Sequence, residues 1–284
     1  MKFLGCLAMD RRIAVRKKIA PVLLTGIALL FPGQAVRSDD NLWARAITGC
    51  GTVISRSGKY FLANDLTQCP GTGISITVSS VSIDLRGHII QVTGDASASA
   101  IDAPGGDKGL TNLEIAGPGT LTGGLTGINF GNVHNSRVHD VTMVQNSFGM
   151  AVNSGDFTSD TTAKATVSAN NEFFDNVITA NNGHGVTMNG GNKNLFFRNN
   201  VSGNNNGGVG LLLYAGQDNV AQDNTADANG GWGIYIAAQS SGNKVEQNTA
   251  FGNGNADLND QNGDCTHNTW AGNSFGSNSP GCIQ

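Results

Sequence analysis

The stretch Asn171-Glu-Phe-Phe-Asp-Asn176 recurs in altered form four more times, at intervals of 23 to 25 residues. Each copy begins on one asparagine, carries an apolar centre and ends on a second asparagine, and a further asparagine follows five residues later. A fixed period in the twenties indicates a solenoid, in which each repeat is one coil stacked on the last. The pairs are Asn171/Asn176, Asn194/Asn199, Asn219/Asn224, Asn243/Asn248 and Asn268/Asn273, followed by Asn181, Asn204, Asn229, Asn253 and Asn278.

Between the asparagine units, a glycine turn precedes side chains that alternate between inward and outward positions. The clearest copies are 182–189, 207–214 and 230–237. Alternation at period two is typical of a half-buried β-strand. A second short strand is predicted inside each asparagine unit, and the asparagines, which tolerate left-handed backbone, are expected to stack at the corners. The sequence therefore predicts an all-β solenoid of about eight coils. Inward positions are Val186, Met188, Leu211, Leu213, Ile234 and Ile236, and outward ones are Thr187, Asn189, Leu212, Tyr214, Tyr235 and Ala237.

The N-terminal 38 residues are typical of a signal peptide. A basic region that includes Arg11 and Arg12 precedes the apolar run 19–31, which is short for a membrane span. We therefore expect a secreted or periplasmic protein with no transmembrane span in its mature form. The predicted divisions are a signal peptide at 1–38, an N-terminal cap at 39–72, the solenoid at 73–276 and a C-terminal tail at 277–284.

Composition narrows the partners that the protein can have. The chain has 284 residues, a formal net charge of −4 and only 13% charged residues. The basic residues beyond the signal peptide are scattered, so there is no basic stripe that would bind nucleic acid. We expect no nucleic-acid partner, and we expect a monomer.

Four cysteines remain once the predicted signal peptide is removed, and they flank the repeat array on both sides. Four cysteines allow three pairings. We favour Cys50 with Cys69 and Cys265 with Cys282, because the array would hold the two groups apart. Such bridges indicate an oxidising compartment. A zinc site is disfavoured because the spacing lacks a C-x-x-C pair.

The first coils carry a resemblance to a known group of proteins. Cys50-Gly-Thr-Val-Ile-Ser55, the run 58–67 (GKYFLANDLT) and Ile83-Asp-Leu-Arg-Gly-His-Ile-Ile90 resemble the opening of right-handed parallel β-helix proteins of the pectin-lyase-like superfamily. The later coils resemble the repeats of carbohydrate-binding and sugar-hydrolase domains, and also those of periplasmic copper-enzyme maturation factors. The resemblance implies a right-handed parallel β-helix, and the favoured cysteine pairs would make its N- and C-terminal caps disulfide-linked. It implies little about activity, because the superfamily includes lyases, epimerases, hydrolases and non-catalytic members.

The resemblance implies that an enzyme on this scaffold places charged side chains on outward columns of the coils. Lyases and epimerases of uronates need a base and a cation that stabilises the developing charge. His134, Arg137, His139 and Asp140 form the densest titratable cluster, just before an insertion at 154–168. Loops on rigid scaffolds often carry function. The alternative is a hydrated face with ion pairs between coils. The candidate catalytic residues are Arg137, His139, Asp140, Asp175 and Arg198, with Asp140 or His139 sharing the column of Asp175.

Aromatic side chains suggest a second, substrate-binding surface. Tyr214, Trp232 and Tyr235 lie close together on one predicted outer face, where they could stack on sugar rings. His184 occupies a Gly-His-Gly segment that resembles one in polygalacturonases, although the other motifs of that family are absent. The alternatives are packing between coils for the aromatics and one variable position in a column for His184.

Metal and nucleophile motifs are missing from the sequence. The histidines are too scattered for a copper or zinc site, and no serine lies in a nucleophile elbow. Calcium is the one cofactor that the sequence leaves open, through the oxygen ligands of Asp102, Asp156 and Asp160.

Three functions follow from these features. The first is lyase or epimerase action on an acidic polysaccharide, which the His-Arg-Asp cluster beside the insertion favours. The second is a non-catalytic carbohydrate-binding or cell-envelope structural protein, which the missing enzyme motifs favour. The third is an accessory role in maturing a periplasmic metal enzyme, which the lack of Met/His clusters disfavours.

Overall fold

The computed structural model of the protein describes residues 44–95, 97–153, 167–263 and 265–283. The predicted signal peptide and most of the predicted insertion, 154–166, lie outside these residues. The described chain is almost entirely β-structure, with one 3₁₀ turn at Gly106–Lys108. The strands are β1 Arg45–Ile47, β2 Thr52–Ile54, β3 Gly58–Leu62, β4 Leu66–Cys69, β5 Ile74–Ile76, β6 Val81–Asp84, β7 Ile89–Val92, β8 Ser99–Ala103, β9 Leu110–Thr111, β10 Leu113–Thr122, β11 Thr126–Gly131, β12 Val133–His134, β13 Arg137–Val144, β14 Phe148–Asn153, β15 Glu172–Phe174, β16 Val177–Thr179, β17 Val186–Asn189, β18 Leu195–Phe197, β19 Leu211–Tyr214, β20 Val220–Gln222, β21 Ile234–Ile236, β22 Lys244–Glu246, β23 Thr249–Ala250, β24 Leu258–Asp260, β25 Thr269–Ala271, β26 Ser274–Phe275 and β27 Asn278–Ser279.

Two long parallel sheets form the main faces of the coils. We call the path β1-β3-β6-β10-β13-β15-β18-β20-β22-β25 sheet A, and the path β2-β5-β8-β11-β14-β17-β19-β21-β24-β27 sheet B. A third face is formed by β4, β7 and β16. Strand β4 pairs with β7, β7 pairs with the C-terminal half of β10, and β16 pairs with the C-terminal half of β13. Successive strands of each sheet are therefore one coil apart, and parallel crossovers of this kind are right-handed. The predicted all-β parallel solenoid is confirmed.

The coils number about nine rather than the predicted eight. The additional coil comes from 45–69, which we assigned to the N-terminal cap. Strands β1 to β4 in this segment pair in parallel with β3, β5 and β7, so they extend the same sheets. The short apolar runs there are strands because each finds a partner in the following coil.

The core is built from columns of apolar side chains that point inward. On sheet B, Ile101, Ile128, Met150 and Val186 occupy equivalent positions and are fully or almost fully buried. The inward positions predicted from the alternation are confirmed. Ala237, which we expected to point outward, is buried at 3% exposure because it lies after the end of β21.

The asparagines stack as predicted, in three buried columns. Asn194 shows the pattern: its Nδ2 donates to Oδ1 of Asn219 at 3.1 Å and to the carbonyl of Ser168 at 3.1 Å. Its backbone N–H donates to the same Asn219 oxygen at 2.9 Å. Each amide therefore satisfies buried backbone groups of two coils, which explains why asparagine recurs. The columns are Asn171-Asn194-Asn219-Asn243-Asn268, Asn176-Asn199-Asn224-Asn248-Asn273 and Asn181-Asn204-Asn229-Asn253.

Two aspartates accept the last donors of these columns. Asn253 Nδ2 donates to Asp257 Oδ1 at 2.8 Å, and Asn268 Nδ2 donates to Asp260 Oδ2 at 3.1 Å. Asn278, which we expected to continue the column of Asn253, instead pairs with Leu258 in sheet B. An acceptor that carries no donor of its own ends a chain of amides without leaving a buried N–H unpaired.

Disulfides lie near both ends of the described chain. Cys50 is bonded to Cys69, and Cys265 to Cys282, with sequence separations of 19 and 17. The favoured pairing is confirmed. Across the described residues, we find no helix whose length and apolar character would let it cross a membrane.

Candidate functional site

The outer face of sheet B carries two neighbouring columns of side chains. The first column, in register from strand to strand, is Asp102, Asn129, Ala151, Thr187, Leu212 and Tyr235. The second column lies three residues earlier in each coil and is Ser99, Thr126, Phe148, His184, Val209 and Trp232. Six successive coils contribute, so the face extends for about 24 Å at about 4.8 Å per coil.

A groove of about 470 Å³ runs between these columns. Its lining combines apolar side chains with hydroxyl, amide, carboxyl and imidazole groups. This mixture is typical of sites that bind small ligands. The lining residues are Thr72, Ser97, Ser99, Asp102, Leu125, Thr126, Asn129, Phe148, Ala151, His184, Thr187 and Leu212.

Asp102 is the acidic group of the groove. Its Oδ1 accepts a hydrogen bond of 2.8 Å from Nδ2 of Asn129, which lies one coil further on. Burial raises the pKa of the Asp102 carboxyl, and the bond from Asn129 opposes that rise. Beside this pair, the hydroxyls of Ser99 and Thr126 are 2.6 Å apart and bonded to each other. One end of the groove therefore offers four polar side chains from two adjacent coils.

His184 lies three coils beyond Asp102 along the groove and is held as a neutral ring. Its Nδ1 accepts the backbone N–H of Val209 at 2.8 Å, which requires an unprotonated nitrogen. Burial lowers the pKa of the imidazole, in agreement with this bond. The ring contacts Phe148 at 5.7 Å between centroids. His184, which we predicted to bind substrate, therefore lines the groove.

The predicted aromatic residues continue the same face. Trp232 and Tyr235 follow Val209 and Leu212 in the two columns, and their rings lie 4.7 Å apart at 49°. Burial raises the pKa of the Tyr235 hydroxyl, which is therefore neutral. Tyr214 is 53% exposed and lies two residues beyond Leu212 on β19. The structure thus brings the four predicted substrate-binding residues to one face.

The five predicted catalytic residues lie on another face of the coils, three of them on β13 of sheet A, and Asp175 and Arg198 directly after its strands β15 and β18. We call them, together with Glu114, the charged ladder. His139 Nδ1 is 2.8 Å from Asp140 Oδ2, and Arg137 Nε is 3.9 Å from Glu114 Oε1. Asp140, rather than His139, shares the column of Asp175, because His139 is in register with Phe174.

The charged ladder ends in a bidentate salt bridge between Arg198 and Asp175. Arg198 donates from Nε and Nη2 to the two carboxylate oxygens of Asp175, at 2.8 and 2.6 Å. These bonds lower the pKa of Asp175, which is partly exposed. The guanidinium also covers the ring of Phe197, and His139 stacks on Phe174 at 4.8 Å. Each charged group of the ladder that we predicted to be catalytic has an oppositely charged or histidine neighbour on the same surface.

The described residues do not fit a resident metal ion. Among them, no group of three or more His, Cys, Asp or Glu side chains is placed to hold one. Asp102, our calcium candidate, is bonded to an amide, and the other candidates, Asp156 and Asp160, lie outside the described residues. We therefore assign no metal ligand.

Sequence reasoning missed most of the groove. Asn129, Ser99 and Thr126 were not singled out, and Asp102 was considered only as a calcium ligand. The first coils deviate from the asparagine period, so their outward columns cannot be aligned from the repeat alone. The register of β8, β11 and β14 is what shows that these residues share columns with His184 and Tyr235.

The parallel coils give the chain the fold of the right-handed, pectin-lyase-like β-helix proteins. Solved structures share the fold, and two of them illustrate the likeness. The A-module of mannuronan C-5 epimerase AlgE4 from Azotobacter vinelandii matches with a TM-score of 0.52 and 14% identity, over 81% of this chain and 78% of that one. A point mutant of the periplasmic alginate epimerase AlgG matches with a TM-score of 0.51 and 18% identity, over 78% of this chain and 51% of that one.

A family model identifies the chain more closely. The model for NosD, described as a periplasmic copper-binding protein, matches residues 44–281, so this chain belongs to the NosD family. A comparison with curated protein sequences gives no significant match. Family membership and the two disulfides agree with a periplasmic, extracytoplasmic location.

Proposed function

We propose that this periplasmic β-helix protein binds a saccharide chain in the groove of sheet B. The observation that supports this best is the alignment of polar and aromatic side chains along one face. Asp102, Asn129 and His184 lie at different coils of that face, and Trp232 and Tyr235 follow. A repeating ligand matches a repeating surface, because each coil can offer the same kind of contact to the next sugar unit.

The chemistry of the lining suits sugars. Hydroxyl groups of a sugar can hydrogen-bond to a carboxyl, amide or imidazole, while its C–H faces pack on apolar and aromatic side chains. Leu125, Phe148, Ala151 and Leu212 supply the apolar part of the groove.

Binding without turnover is the form of this proposal that the geometry favours. A lyase or epimerase needs a base and a positive group at one sugar carboxylate. The described lining residues of the groove include no Lys or Arg. Arg198 is hydrogen-bonded to both carboxylate oxygens of Asp175, so a sugar acid would have to displace that carboxylate to bind Arg198.

The alternative is lyase or epimerase action on an acidic polysaccharide at the charged ladder. It is favoured by His139, whose two ring nitrogens lie 2.8 Å from Asp140 and 3.8 Å from Glu114. Copper handling, which the family description suggests, is not assigned to the described residues because they offer no ligand cluster.

Calorimetric titration of the mature protein with a panel of oligosaccharides tests the proposal. We expect one or more to bind, and Trp232→Ala to weaken that binding roughly three- to tenfold through lost stacking. Arg198→Gln, on sheet A, is the matched control and should bind as the parent does. If Trp232→Ala binds as tightly as the parent protein while Arg198→Gln binds more weakly, the binding site lies on the charged ladder instead.

Turnover is followed in parallel on pectate, alginate and glycosaminoglycan, with and without Ca²⁺. Ultraviolet absorbance reports elimination products, and reducing ends report hydrolysis. Absence of product together with saccharide binding is the expected result. Product that disappears in Arg137→Ala and His139→Ala would establish the enzymatic alternative instead.

A further inference from the structure

The charge of the groove on sheet B restricts the sugars that it can accept. Its described lining residues carry one acidic group, Asp102, and one imidazole, His184, with no Lys or Arg among them. His184 is not a cation in this setting, because its Nδ1 accepts the backbone N–H of Val209 at 2.8 Å. The described lining of the groove therefore presents hydrogen-bond acceptors and hydroxyl groups without a compensating positive charge.

Asp102 is the residue whose chemistry decides between sugar classes. In the part of the chain that the structure describes, its hydrogen-bonding partner is the neutral amide of Asn129, at 2.8 Å from Oδ1. The carboxyl is partly buried, where charges are screened less than in water. It can accept hydrogen bonds from hydroxyl or ammonium groups, but it repels a second carboxylate.

Thr187 supplies an independent sign that a donor or acceptor is required at this face. Its Oγ1 is buried without a hydrogen-bond partner among the described residues, and Thr187 lines the groove beside His184 and Leu212. A buried hydroxyl of this kind is uncommon in native proteins.

We infer that the groove selects neutral or amine-bearing sugar units and rejects uronates, with Asp102 as the residue that sets this specificity. The inference rests on the proposed function, since it concerns the ligand of the same groove. It sets this chain apart from the two structural neighbours, whose names refer to mannuronan and alginate. The shared fold does not transfer that substrate, because the described lining of the groove lacks a cationic partner for a carboxylate.

The test uses oligosaccharides of equal length that differ in charge: a neutral mannan, a glucosamine oligomer and an oligomannuronate. Binding of each to the mature protein is measured by calorimetry at constant ionic strength. We expect the neutral or the amine-bearing oligomer to bind at least about tenfold more tightly than the oligomannuronate. Oligomannuronate binding that equals or exceeds both others would overturn the inference while leaving saccharide binding established.

Asp102→Asn assigns the discrimination to one side chain. The substitution keeps the size and the acceptor oxygen but removes the charge, so the preference over oligomannuronate should shrink by about tenfold. Asp84→Asn, an exposed acid on sheet A, is the matched control and should leave the preference unchanged. An unchanged preference in Asp102→Asn would contradict the role of Asp102. Failure of every oligomer to bind the parent protein would refute the proposed function, and the inference with it.

Discussion

At the scale of single residues, the buried asparagines are the side chains of this protein that other residue types replace least well. The side chain of Asn219 donates to the Gly191 carbonyl at 2.8 Å and to Asn243 at 2.9 Å. Its oxygen accepts both the backbone N–H and Nδ2 of Asn194. No other side chain of this size offers two donors and an acceptor in that arrangement, because aspartate has no donor and serine has a single hydroxyl.

Asn219→Ala should therefore be severely destabilising. It leaves several buried groups unpaired, and we expect a loss of about 3 to 5 kcal/mol in the free energy of unfolding. Asn205 is exposed and lies next to Asn204, a member of an asparagine column. Asn205→Ala is therefore the matched control and should change stability by less than about 0.5 kcal/mol. Urea unfolding followed by circular dichroism measures both, and similar midpoints for the two variants would refute the role given to the columns.

His184 gives the protein a pH dependence with a definite sign. Burial lowers the pKa of its imidazole in the folded state, so the unfolded state takes up the proton more readily. The stability that the neutral ring contributes is complete above the unfolded value of about 6.5 and declines as pH falls below it. In His184→Leu, stability should depend less steeply on pH between about 5 and 7.

The residual slope in that variant has an identified source. Burial also lowers the pKa of His134, which acts in the same direction. His134→Asn should therefore remove a further part of the slope. If the slope of the parent protein survives in His184→Leu, the bond from Val209 to Nδ1 does not hold the ring neutral.

At the scale of elements, the C-terminal coils depend on an aspartate where the columns end. Asp257 is almost fully buried and accepts hydrogen bonds from Asn253, Gly276 and Ser277. Burial would raise the pKa of this carboxyl, but the hydrogen bonds together outweigh it and hold the pKa below its ordinary value. Its contribution to stability is thus present above the unfolded pKa of about 4 and is lost as pH falls through the folded value.

Asp257→Asn replaces that carboxylate with an amide. The amide nitrogen is itself a donor, and it would face N–H groups that need an acceptor. We expect a loss of about 1 to 3 kcal/mol at pH 7, with the difference from the parent shrinking below about pH 4. Stability curves measured from about pH 2.5 to 7 check this. A difference that stays constant across that range would show that the charge of Asp257 does not matter. Asp107→Asn, which is exposed, serves as the control.

The elements show how far sequence reasoning extends. The period of the asparagines predicts the sheets from Asn171 onward, because one residue type meets the same requirement in every coil. Before that point, Ser136 takes the place of an asparagine in one column, whereas Asn146 keeps the residue type but lies 35 residues before Asn181, so the period fades although the coils continue. The groove could not be predicted for the same reason: Asp102 and Asn129 become neighbours of His184 only through strand register.

At the scale of the whole molecule, the two candidate surfaces lie on different sheets of the same coils. A ligand that binds the folded state stabilises it, by about 2.7 kcal/mol at a hundred times its dissociation constant. In a solenoid, each coil contacts mainly its neighbours, so this stabilisation is felt most in the coils that touch the ligand. Amide hydrogen exchange can therefore report where a ligand lies.

We expect a bound oligosaccharide to slow exchange in β8, β11, β14, β17 and β19, whose outward residues line the groove, more than in β22 and β25 at the C-terminal end of sheet A. Asp102→Asn should reduce the difference in protection between a neutral or amine-bearing oligomer and oligomannuronate, in β8 and β11 first, because Asp102 and its partner Asn129 lie on those strands. Protection centred on β13, β15 and β18 would instead place the ligand on the charged ladder. The function would then belong to the charged ladder, as the cluster around His139 first suggested, and the groove on sheet B would have no role in ligand binding.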